Sequence, residues 1–233
     1  MIQHPVFYAA MMTRLGDADG FVAGAANTTS LVARAAIQCI EARKDVGIIT
    51  SSFVMILPSE QYGEKGVFVF ADCGILPLPT SEQLSKIAFL SGTILEEILD
   101  AKPRIAFLSY STKGSAGGMS VNKMREAVKL VKERYPFLEV DGELQGDAAI
   151  VPEVAKIKTA DSSVAGRANV LIFPNLDAGN ICYKLVERLC GGRALGPLIM
   201  GANKPCSDLS RGCRVDDVID CVAITNIGAQ KVK

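Results

Sequence analysis

Short β-rich runs alternate with amphipathic helical stretches along this chain, and that alternation restricts the fold more than any other feature. Val46 to Leu57 (VGIITSSFVMIL) reads as a strand, with a possible break at Ser51-Ser52, and Gly66 to Leu76 (GVFVFADCGIL) as a second that runs into a loop. Pro77-Leu78-Pro79 breaks the chain, and Thr80 with Gln83 forms a capping box for the next helix. In that helix Leu84, Ile87, Ala88, Leu95 and Ile98 fall roughly on one face. Arg104 to Tyr110 (RIAFLSY) is a strand, and Met124, Ala127, Val128 and Val131 stripe the helix that follows. Asn169 to Phe173 (NVLIF) is a further strand, and Asn180 to Leu189 a helix. This alternation predicts an α/β fold with a largely parallel sheet in three layers. Ligands of such sheets gather at the carboxyl ends of the strands, here Asp72-Cys73, Ser111 to Ser115 and Asn175 to Asn180.

Composition narrows the function. Lys plus Arg equal Asp plus Glu, at 25 each, so no basic surface for nucleic acid is indicated and any anion site must be local. No apolar run is long enough to span a bilayer, and Met1 to Pro5 lacks the pattern of a signal peptide. The seven cysteines form no CxxC pair, which reads as free thiols in a reducing cytosol, most of them small buried apolar residues. His4 is the single histidine. A Ser-His-Asp triad and a His-rich metal site are therefore not expected, and a general base is more readily a carboxylate.

The strongest local signal is Asp208-Leu209-Ser210-Arg211-Gly212-Cys213, just before the helically spaced Val215, Val218, Ile219, Val222 and Ala223. Free N–H groups at a helix start attract anions, and a Ser hydroxyl with an Arg fork would strengthen a phosphate site. The same run also fits a plain capped turn. Asp216 and Asp217 fall in the first turn, where the helix dipole favours acids; alternatively one of them faces the anion site as a base. Ser111-Thr112-Lys113-Gly114-Ser115 could cradle phosphate after a strand but is not a Walker loop, and Gly16 to Gly24 does not match GxGxxG. Arg34 lies in a helix that starts at Asn27-Thr28-Thr29-Ser30; it either reaches to solvent or points into a cleft.

Six segments, in order, resemble the phosphate acetyltransferase (phosphotransacetylase) family. They are LGDADGFVAGAANTT (Leu15 to Thr29), FADCGILPLPTSEQL (Phe70 to Leu84), LSYSTKGSA (Leu108 to Ala116), DGELQGDAAIVPEVA (Asp141 to Ala155), SSVAGRANVLIFPNLDAGNICYKL (Ser162 to Leu185) and DLSRGC (Asp208 to Cys213). The resemblance implies the reaction acetyl phosphate + CoA ⇌ acetyl-CoA + phosphate, with CoA as a substrate and no permanently bound cofactor or metal. It implies two α/β domains of the isocitrate/isopropylmalate dehydrogenase type with the site in the cleft between them, and a cytoplasmic homodimer of acetate metabolism. Relatives of the superfamily act on butyryl groups.

Carried over residue by residue, Ser210 and Arg211 match the family's active-site pair, and Asp217 the aspartate that takes the CoA thiol proton. Arg34 matches a substrate-binding arginine; Thr28, Thr29, Ser111 and Lys113 match polar cleft positions. Ser207 departs from the family's usual Asn before the motif, and Cys206 is unusual there. The resemblance also begins well inside the family's first domain. It implies that 1–44 and 197–233 are a remnant of that domain and 45–196 a complete second one. On this expectation the chain alone is weakly active or inactive and oligomerises to cover the exposed surface. The rival expectation is a catalytically silent regulatory domain that binds acyl-CoA or acetyl phosphate, or a phosphate butyryltransferase.

Overall fold

The computed structural model describes residues 3–231. In chain order the first elements are α1 (Pro5–Leu15), β1 (Phe21–Ala23), α2 (Thr29–Ala35), β2 (Thr50–Ile56), β3 (Val67–Ala71), α3 (Ser81–Leu99), β4 (Arg104–Leu108) and α4 (Met119–Arg134). Then come β5 (Glu139–Leu144), α5 (Gly146–Ile150), α6 (Pro152–Lys158), β6 (Val170–Ile172), α7 (Leu176–Leu189), β7 (Arg193–Met200), β8 (Cys206–Asp208) and α8 (Val215–Lys231). The result is a mixed α/β fold of two compact units. Unit 1 takes the chain up to Phe53 and from Leu195 onward; unit 2 is Val54–Ala194.

Unit 2 carries the βα alternation most clearly. Its strands β3, β6, β4 and β5 lie side by side in that order, all parallel. β6 is buried along its whole length, so it is apolar on both faces. α3 begins at the expected capping box, with the Gln83 N–H donating to Thr80 Oγ1 and the Thr80 N–H to Gln83 Oε1. Its apolar face, including Leu84, Ile87, Ala88 and Leu95, is buried against β3 and β6. The expected stripe of α4 is also buried, with Val121 added to it. α7 starts four residues before the expected Asn180, because Asn175 Oδ1 accepts the Ala178 N–H and caps it earlier.

In unit 1, β1 pairs parallel with β8, and β8 antiparallel with β7, a departure from an all-parallel sheet. α8 packs on β1 and β8 and runs on to Lys231, past the expected Ala223. α1 is fixed at both ends: His4 Nδ1 accepts the Val6 N–H ahead of Pro5, and Gly16 closes the helix at φ +88°. The helix expected from Asn27 begins at Thr29 and passes into a π-helical turn at Ala36–Ile40. β2 is continuous through Ser51 and Ser52, both fully buried, so the pair does not interrupt it.

Candidate active site

The site in unit 1 is built on the carboxyl ends of β1 and β8. Ala23 and Asp208 are register partners at the last step of this parallel pair, and the Leu209 N–H donates to the Ala23 carbonyl at 2.7 Å. Two loops therefore leave the sheet side by side, one starting at Gly24 and the other at Leu209. Gly24 has no substitute: its φ is +118°, and a Cβ would stand 2.0 Å from Asp208 Oδ1 and 2.5 Å from the Leu209 nitrogen. The first loop turns through an Asn27 N–H to Gly24 carbonyl bond and delivers Thr28 and Thr29 to the start of α2. Thr28 is the N-cap in extended conformation, but its hydroxyl meets Ser30 Oγ at 2.9 Å instead of capping the helix. Arg34 is exposed on the last turn of α2.

The second loop carries Ser210 and Arg211, both exposed. Ser210 Oγ accepts the Gly212 N–H at 3.2 Å, and the Ser210 carbonyl accepts the Cys213 N–H at 3.0 Å, which closes a tight turn before α8. Half-buried Asp217 reaches back so that its Oδ2 accepts the Arg214 N–H at 2.8 Å, and Asp216 is exposed. Among the described residues neither Arg34 nor Arg211 has a hydrogen-bond or ion-pair partner. Unit 1 thus holds three uncommitted guanidinium groups, Arg34, Arg211 and Arg214, together with the hydroxyls of Thr28 and Ser210.

Asp208, at the base of both loops, is a residue that sequence reasoning passed over. Its side chain is fully buried, and neither oxygen has a hydrogen-bond partner. Burial pushes its carboxyl up to about 6, against a weaker downward pull from the Thr29 hydroxyl and the Leu209 N–H. The sequence shows an Asp inside a motif; it does not show that the side chain is sealed off.

Ser111 and Lys113 belong to unit 2, on the loop after β4. Ser111 is fully buried, and its hydroxyl donates to Glu143 Oε1 at 2.8 Å. The Ala116 N–H donates to Ser111 Oγ in turn, at 3.0 Å. The Lys113 ammonium pairs with Asp141 and stands on the wall of an open pocket of about 410 Å³, together with Lys158, Thr159 and Ser162. As placed, both polar groups are engaged within their own unit. No group of three or more His, Cys, Asp or Glu among the described residues could hold a metal ion. Among the described residues no helix is long and apolar enough to cross a membrane.

Known proteins resemble this chain in sequence and in fold. The chain is 50% identical over 232 residues to a phosphate acetyltransferase of Acetivibrio thermocellus, covering all of this chain and 70% of that protein. It is 46% identical over 231 residues to one from Clostridium acetobutylicum, covering 99% of this chain and 69% of the relative. The crystal structure of a phosphotransacetylase from Streptococcus pyogenes superposes with a TM-score of 0.90 at 40% identity, over 97% of this chain and 67% of that one. The family described as phosphate acetyl/butaryl transferase matches residues 1–226. With its fold, its loops and nearly every residue accounted for by that match, the chain belongs to the phosphate acetyl/butaryl transferase family.

Proposed function

We propose that the two loops of unit 1 carry the chemistry of this enzyme, by direct attack of the CoA thiolate on the acyl carbon. As a member of its family the chain is an acyltransferase, and its reaction is acetyl phosphate + CoA ⇌ acetyl-CoA + phosphate. The observation that carries the mechanistic reading is that two of the uncommitted guanidinium groups, Arg34 and Arg211, lie on elements that flank the carboxyl ends of β1 and β8.

A thiol of ordinary pKa, about 8.5, is mostly protonated at neutral pH, so a nearby base is useful. Asp217 takes the thiol proton. The sulfur forms its bond to the acyl carbon, and the carbon–oxygen bond to phosphate breaks, with the electron pair leaving on the phosphate oxygen. Ser210 and Arg211 donate to the developing oxyanion and to the departing phosphate. Arg34 and Thr28 hold the anionic substrate, with Thr29 beside them at the start of α2. Ser111 and Lys113 contribute the loop after β4 as a second binding surface, held in shape by Glu143 and Asp141.

This reading includes a cytoplasmic homodimer, supported by the family resemblance and by seven cysteines that are all free. It also assigns residues 1–44 and 197–233 to the first domain and 45–196 to the second. The test is thioester formation from CoA with acetyl, propionyl and butyryl phosphate in turn. Fastest turnover with acetyl phosphate is expected. Binding of CoA without turnover of any of the three would make the chain a silent acyl-CoA-binding domain.

A further inference from the structure

Among the described residues, the two carboxylate oxygens of Asp208 are the buried side-chain polar atoms that lack a hydrogen-bond partner. A buried carboxylate in that condition is a net cost to folding. Elsewhere this chain avoids the cost. Its neighbour Ser207 is paired with Thr225 at 2.7 Å. Buried Asp72 accepts the N–H groups of Gly74, Ile75 and Leu76, and buried Glu143 is held by Arg125 and Ser111. The unpaired group stands where the loop bearing Thr28 and Thr29 meets the loop bearing Ser210 and Arg211. It is packed so tightly on the first that Gly24 has no room for a Cβ. The Thr29 hydroxyl is the side-chain group that pulls on the Asp208 carboxyl against its burial.

We infer that Asp208 is a positioning residue for acyl transfer: its carboxylate takes the Thr29 hydroxyl in the loaded enzyme and so locks the Ser210–Arg211 loop to the start of α2. The inference rests on the assignment of Ser210 and Arg211 given above. A small misplacement of such a loop costs up to about 10²-fold in rate, because the reacting groups must be held in near-attack geometry. The effect appears in kcat, since ground-state contacts to substrate are not removed.

The test is a cycle of Asp208→Val, Thr29→Val and the double variant, with Asp208→Asn beside it. Each is assayed for kcat and KM and melted by circular dichroism. Asp208→Val and Thr29→Val should each lower kcat about 10- to 100-fold, with KM for acetyl phosphate within about threefold. The double variant should be no slower than either single one, because one interaction is lost in all three. Asp208→Asn keeps an acceptor of the same shape and should stay within about threefold of the parent, while Asp208→Val does not. Additive losses in the double variant overturn the inference. So does normal kcat in Thr29→Val, or an Asp208→Asn variant as slow as Asp208→Val. Should Asp208→Val fail to fold, Thr29→Val and Asp208→Asn decide by the same criteria. Arg211→Ala, run in parallel, reports on the site assignment separately: loss there with an additive cycle leaves the assignment standing and removes only the role of Asp208.

Discussion

Glu143 in unit 2 and Asp208 in unit 1 are both buried carboxylates, and their ionisations shift in opposite directions. In unit 2, Glu143 is 2% exposed and fully satisfied. It accepts from Arg125 Nε at 2.8 Å and Nη2 at 2.9 Å, from Ser111 Oγ and from the Gly114 N–H. Burial pushes its carboxyl up, but these donors outweigh burial and hold it down at about 2. In unit 1, Asp208 is equally buried with no hydrogen-bond partner on either oxygen, so burial outweighs the weaker pull of the Thr29 hydroxyl and the Leu209 N–H and its carboxyl rises to about 6. A satisfied charge of the first kind knits β5 to the loop after β4 and to α4; it is architecture. An unsatisfied charge of the second kind is a burden on the fold, and such burdens cluster where a site needs them.

This contrast makes changes at Asp217 and Arg211 in unit 1 act on rate and changes at the Glu143 network of unit 2 act on stability. The largest effect expected is from Asp217→Asn. If Asp217 is the base, kcat falls about 10²–10⁴-fold. The melting temperature should hardly move, since Asn can still accept the Arg214 N–H. If Asp217 serves only as a cap, the order reverses, and steady-state kinetics beside a thermal melt separate the two.

The pH dependence of stability comes next. Asp208 has a folded pKa raised from 3.8 to about 6. Its protonated form therefore favours the fold, and that contribution is present below about 3.8 and lost as pH rises through 6. Asp208→Asn should remove this fall and be more stable than the parent at pH 7, by roughly 3 kcal/mol at most. Glu143, lowered from 4.5 to about 2, has the opposite sign: its contribution is full above 4.5 and lost as pH falls through 2. Urea titrations from pH 3 to 8 read both slopes, and a parent curve flat between pH 4 and 6 would contradict the account of Asp208.

Ser111→Ala removes a buried donor to a charged acceptor and should cost about 1.5–3 kcal/mol of stability. A loss of rate with an unchanged melt would instead put the Ser111 hydroxyl on the substrate. The smallest effect is expected from Cys213→Ala. CoA already supplies the nucleophile, so the variant should keep its activity, and a trapped acyl-cysteine together with loss of turnover would reverse that.

What could be read in the sequence follows the same division. β3, β4, β6, α3 and α4 were legible because their burial is written as apolar period and as a capping box. β5 (EVDGEL) was not, since Asp141 and Glu143 make it look like a solvated loop. Their partners Lys113 and Arg125 lie far back in the chain, and only the fold brings them within reach. β8, three residues reading CSD, has no apolar alternation at all and is defined by its pairing with β1 and β7. In the candidate site, Ser210, Arg211 and Arg34 stand out by type and setting. The isolation of Asp208 does not, because a missing partner is a property of three-dimensional packing.

The central claim is that the Ser210–Arg211 loop of unit 1 stabilises the transferring acyl phosphate, and the most direct test is turnover of Arg211→Ala in CoA-dependent thioester formation from acetyl phosphate. Arg211 is exposed and without a partner among the described residues, so its removal should leave the fold and the melting temperature intact. The account requires kcat to fall about 10²-fold or more, the scale for losing one preorganised donor to developing charge. A folded Arg211→Ala variant that turns over at close to the parental rate would contradict it.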